Sequence, residues 1–96
     1  MMRYNVNRMP ISEPDAYARL REAARRLDPA LVVDRGSVHW IDGPYPGVSY
    51  TLVRGDARAL LFMPATDIDG AGWEDRLQQR LEAAHCYLDG FTRTAR

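Results

Sequence analysis

The 96-residue chain is expected to fold as an α+β two-layer sandwich, a four-stranded, largely antiparallel sheet with two helices on one face, in the order α-β-β-β-β-α. Three observations predict this. Apolar residues recur at helical spacing near both ends of the chain. Between them, β-rich runs are broken at Arg35-Gly36 and Gly55-Asp56, pairs suited to tight turns. A chain of 96 residues, 46% hydrophobic and 27% charged, is sized and composed for one domain with a modest core. Residues 1–11 read as an N-terminal arm, 12–90 as the domain and 91–96 as a C-terminal tail.

The arm is expected to be loose or to add to a sheet edge, where Tyr4, Val6 and Met9 could cover apolar surface. SEPD then starts the first helix. Ser12 caps the free amides, Asp15 completes a capping-box variant, and Pro14 lies in the first turn, where its missing N–H costs little. Ala16, Tyr17, Leu20, Ala24 and Leu27 form one stripe over residues 14–27. Asp28-Pro29 ends the helix, because proline pushes its predecessor out of the α region.

LVVDRGSVHWI reads as a hairpin turning at Arg35-Gly36, with cross-strand pairs Asp34/Ser37, Val33/Val38, Val32/His39 and Leu31/Trp40. Leu31, Val33, Val38 and Trp40 then share one face, and Val32, His39 and Ile41 the other. The loop DGPYPG follows, a connection first and a contact surface second. Its glycines permit positive φ and its prolines stiffen it. Tyr45 either folds back over the sheet edge or is held outward as a partner-binding tip.

A second hairpin, VSYTLVRGDARALLFM, turns at Gly55-Asp56 in a type II′ geometry. Val48, Tyr50, Leu52, Ala57, Ala59, Leu61 and Met63 line one face. Ser49, Thr51, Val53, Arg58, Leu60 and Phe62 line the other, which is too apolar for a wholly solvated surface. ATDIDGAG is expected as a loop launching the last helix. That helix carries Trp73, Leu77, Leu81, Ala84 and Leu88 as its stripe, with acidic Glu74 and Asp75 at its start and a stop at Gly90.

Composition narrows function. Thirteen basic and thirteen acidic side chains cancel, so no long-range field steers the chain toward nucleic acid or an anionic membrane. A single cysteine excludes an internal disulfide and suits a reducing, cytoplasmic setting. No signal peptide, lipidation signal or membrane-spanning run is legible. No cofactor or metal is expected: His39, Asp42, His85 and Cys86 have ligand atoms but no compact spacing, Asp67 and Asp69 do not make a calcium loop, and phosphate-binding glycine motifs are absent.

The reading is a small non-enzymatic protein-interaction domain, an adaptor, inhibitor or immunity-like modulator acting by surface occlusion. Its partner is another protein or a second copy of itself, and its candidate contacts are Tyr45, Val53, Arg58, Leu60 and Phe62. One alternative is nucleic-acid binding through Arg19, Arg21, Arg25 and Arg26 of the first helix, with Glu22 placed to neutralise some of them. The helix–sheet–helix order superficially resembles that of a double-stranded-RNA binder, but the fourth strand and the lack of a KKxAK-like helix start separate the two. A second alternative is an enzyme with a site near His39 and Cys86, for which no orienting third group stands out.

Overall fold

The computed structural model describes residues 8–94, with side chains as far as Gly90. In chain order the elements are α1 (Glu13–Leu27), β1 (Val32–Ile41), β2 (Gly47–Arg54), β3 (Ala57–Pro64), α2 (Ala65–Asp69) and α3 (Trp73–Thr94). The strands form one antiparallel sheet in the order β1-β2-β3. The class is α+β, with three strands among the described residues where four were expected.

The missing strand is accounted for by the first hairpin, which does not form. Residues 32–41 are one strand that pairs with β2 along both of its halves, Val32↔Val53 to Asp34↔Thr51 and His39↔Ser49 to Ile41↔Gly47. Between Asp34 and His39 the register jumps, and side chains shape the jump. Asp34 Oδ1 accepts from the Gly36 N–H at 3.0 Å, and Ser37 Oγ donates to the Asp34 carbonyl at 2.6 Å while accepting from the Thr51 N–H at 2.8 Å. Short polar side chains that bond nearby backbone compete with ladder geometry, and here they build a bulge rather than a turn. The bulge shifts face parity as the hairpin would have done. Leu31 and Val33 are therefore buried, Val38 and Trp40 pack against the core, and Val32 and Ile41 are exposed, as expected. His39 faces Ser49 rather than Val32.

The second hairpin forms in the expected register, Arg54↔Ala57 through Gly47↔Pro64. Gly55 has φ +60, and no described non-glycine residue has positive φ. A type I′ turn needs positive φ at both central positions, so the turn is II′. Val48, Tyr50, Leu52, Ala57, Ala59, Leu61 and Met63 are all buried.

Ser12 caps α1 by accepting from the Asp15 N–H at 3.3 Å, and Asp28, extended before Pro29, closes it by donating its N–H to the Ala24 carbonyl. Ala16, Leu20, Ala23 and Ala24 of α1 and Leu77, Leu81 and Leu88 of α3 belong to the same buried cluster as the inner sheet residues. Three expectations for the connections are corrected. The arm is not loose where it is described: Met9 and Ile11 are buried, and the Met9 N–H donates to Asp42 Oδ1 at 2.8 Å. Tyr4 and Val6 lie outside the described residues. Residues 65–69 are helical rather than loop, with Ile68 buried. Gly90 does not stop α3, which runs on to Thr94, since one glycine inside a helix costs only about 1 kcal/mol relative to alanine.

Ion pairs tie the helices to each other and to the sheet. Buried Tyr50 donates its hydroxyl to Glu13 Oε2 at 2.8 Å, and Arg35 forks onto the same carboxylate while lying 4.8 Å from the Tyr17 ring centroid. Arg54 bridges Asp28 at 3.4 Å and Asp89 at 2.8 Å, and His85 Nε2 meets Asp28 Oδ2 at 2.9 Å. Arg76 and Arg80 both bind the buried Asp67 carboxylate, which locks α2 to α3. Arg19 joins α1 to this corner through the Ile68 carbonyl and Asp69, both at 2.7 Å, and lies 4.4 Å from the centroid of the Trp73 ring.

Two measurements follow from this packing. In urea unfolding, Leu61→Ala should cost about 2–4 kcal/mol, and Leu60→Ala, one residue away on the opposite face, less than about 0.5 kcal/mol. The second concerns pH. The Arg35 bonds hold Glu13 below its ordinary 4.5, and the His85 bond holds Asp28 below its ordinary 3.8. Their contributions are complete above those ordinary values and are lost as pH falls through the depressed ones. Burial pushes Tyr50 above its ordinary 10.0, so its contribution is complete below that value and fades as pH rises past it. Circular dichroism against pH should show a plateau between two declining limbs. Glu13→Gln should flatten the acid limb and cost about 1–2 kcal/mol at neutral pH.

Candidate interaction face

The outer sheet face is built by alternation. Since Leu61 and Met63 point inward, Arg58, Leu60 and Phe62 point outward on β3, opposite Val53, Thr51 and Ser49 of β2. Leu60 is 72% exposed, Phe62 41% and Val32 57%. Arg58 is exposed and Val53 half-buried. The Phe62 ring lies over Gly47: a β-carbon there would sit 2.5 Å from its Cζ and 2.9 Å from the Met63 carbonyl oxygen. Glycine at 47 thus lets the aromatic ring approach the neighbouring strand closely.

Tyr45 stands outward at 88% exposure, so of the two settings expected for it the folded-back one is not adopted. Its loop is held at both ends, Asp42 by the Met9 N–H and Pro46 by its carbonyl, which accepts from the Ala65 N–H at 3.0 Å. Between the loop and β3 is an apolar hollow of about 480 Å³ lined by Pro44, Tyr45, Pro46, Phe62 and Pro64, among others. A second hollow of about 450 Å³ separates β3 from α3, with Arg58 through Phe62 on one wall and Arg80, Ala83, Ala84 and Tyr87 on the other. Phe62 lines both. Tyr45 and Phe62 therefore share one hollow, and Arg58, Leu60 and Phe62 share the other, whereas Val53 lines neither. Sequence reasoning missed Tyr87, which is 61% exposed. Its signal was present in the spacing of 80, 83, 84 and 87, one continuous helix face beside the buried stripe.

The arginines of α1 divide. Arg19, one of three arginines that Glu22 is spaced to pair with, is instead bonded to Asp69 and the Ile68 carbonyl, while Arg21, Arg25 and Arg26 are exposed. With three strands among the described residues, strand count does not separate the order from that of a double-stranded-RNA binder. The absent basic helix start remains a difference, for α3 opens with exposed Glu74 and Asp75.

Cys86 is an exposed free thiol and His39 is exposed on β1, while His85 turns Nε2 toward Asp28 and Arg54. Among the described residues no group of three or more His, Cys, Asp or Glu side chains could hold a metal ion, and no helix is long and apolar enough to cross a membrane. No family model matches the chain, and no curated protein or solved structure shows significant similarity to it. Native protein should react at Cys86 with a disulfide thiol reagent to one equivalent without denaturant; a reaction that needs unfolding would contradict this exposure.

Proposed function

We propose that the chain is a small non-enzymatic protein-interaction domain that acts by occluding a partner's surface. The reading takes both long helices as one layer on the inner sheet face, which leaves the outer face for a partner. The single observation that carries it is the run of apolar side chains at the outer surface, Leu60 and Val32 with Phe62 and Tyr45, bordered by two hollows. Apolar side chains grouped around aromatic anchors, with Arg58 and Arg80 at the rim, have the make-up of a binding patch. The stiff loop presents Tyr45 at small entropic cost. A reducing cytoplasm fits the exposed lone thiol.

Nucleic-acid binding is the second reading, supported by exposed Arg21, Arg25 and Arg26 on one helix. Arg19 serves it poorly, because its guanidinium is already bonded within the fold. Affinity capture from native cells separates the two. Phe62→Asp and Leu60→Asp should each release a captured protein, with little dependence on salt. Loss of a captured nucleic acid on raising salt, and on replacing Arg21 and Arg25, would reverse the order of the readings.

A further inference from the structure

We propose that the chain pairs with a second copy of itself through the outer edge of β3, giving one continuous six-stranded sheet across a twofold axis at Leu60. This deepens the interaction reading and rests on it. The two-residue turn makes Arg54 and Ala57 a hydrogen-bonded pair, so Ala57, Ala59, Leu61 and Met63 direct their backbone groups toward β2. Arg58, Leu60 and Phe62 then direct their N–H and C=O groups outward. Arg80 agrees with this geometry: its Nη1 donates to the Phe62 carbonyl at 3.3 Å from the outer side.

The two sheet edges differ. β1 is interrupted by its bulge and carries Asp34 and Arg35 there, devices that discourage strand addition. β3 runs through eight consecutive pairs with β2 without a break, and its outer edge borders the hollow beside α3. An uninterrupted, partly apolar edge is a template for another strand.

A copy is favoured as the occupant because the edge is complementary to itself. In antiparallel pairing about Leu60, Leu60 meets its own counterpart, and Arg58 of each copy meets Phe62 of the other, a cation beside an aromatic face. The far wall of the hollow follows the same pattern. α3 runs antiparallel to β3, since Arg80 reaches Phe62 at one end and Asp89 reaches Arg54, the neighbour of Ala57, at the other. The same twofold sets Arg80 of one copy toward Tyr87 of the other, with Ala83 and Ala84 small enough to let the helices approach. A net charge of zero leaves no long-range repulsion between copies. On pairing, the Arg58 N–H of the second copy replaces Arg80 at the Phe62 carbonyl, and Arg80 keeps its bond to Asp67.

Sedimentation velocity on the full chain, from low micromolar to near-millimolar concentration, tests this. Wild type should pass from monomer to dimer. Leu60→Pro removes an outward N–H while sparing the β2 ladder, and should weaken dimerisation about a hundredfold. Arg58→Glu should weaken it too, and adding Phe62→Arg should restore it by setting the new carboxylate against the new guanidinium. Ala18→Lys, at an exposed position of α1 away from β3, should leave the dimer intact. The rescue requires folded protein, so it stands even if Leu60→Pro misfolds. A wild type that stays monomeric throughout, a dimer indifferent to Leu60→Pro and Arg58→Glu, or a double variant that fails to recover would each overturn the pairing. Capture of a different protein that Phe62→Asp releases would still support the interaction reading in those cases. A dimer lost on Leu60→Pro with no other partner captured would leave self-pairing as the whole interaction.

Discussion

The two-residue turn at Gly55-Asp56 constrains everything around it. Once the chain reverses there with glycine at positive φ, every side chain from Gly47 to Pro64 has its face assigned. A one-residue slip taken up by β3 would put Leu60 and Phe62 in the core and turn Leu61 and Met63 to water, and the same slip taken up by β2 would turn Tyr50 to water. The buried Tyr50 ring could not then reach the first turn of α1 with its hydroxyl. As folded, it meets Glu13, which also holds Arg35. Helix placement, strand register and the start of α1 are therefore coupled through one tyrosine.

The arginines show how a chain of zero net charge spends its cations. Arg19, Arg35, Arg54, Arg76 and Arg80 each bind a carboxylate from another element, and several also bond backbone carbonyls or sit beside rings. Such partly buried pairs add little net stability, because desolvation offsets attraction, but they penalise any arrangement that separates them. They act as struts between a small sheet and helices that bury mainly alanine and leucine. Arg19, which on sequence alone looked available to phosphate, is the clearest case.

How much could be read in advance depended on how local the deciding interactions were. Both ends of α1 were legible, because Ser12, Pro14 and Asp28-Pro29 act on their own neighbours. The second hairpin was legible for the same reason, and with it the inner and outer sides of β2 and β3. The first hairpin was misread, since Arg35-Gly36 looks like a turn until Ser37 is seen bonding to Thr51, fourteen residues away. The short helix after Pro64 was missed, as its Asp67 is held by arginines nine and thirteen positions on. Of the candidate face, Leu60 and Phe62 followed from alternation alone. The outward setting of Tyr45 depends on anchors at Met9 and Ala65, which no local pattern reveals.

The bulge in β1 carries an evolutionary consequence. Five steps along β1, from Asp34 to His39, match only two along β2, from Thr51 to Ser49, so the excess is odd. Shortening the segment by two residues would preserve which way Trp40 points, and removing one or three would evict it from the interior. Descendants of this chain should accordingly tolerate length changes between Asp34 and His39 in even increments, a parity rule imposed by the pleat on insertions and deletions.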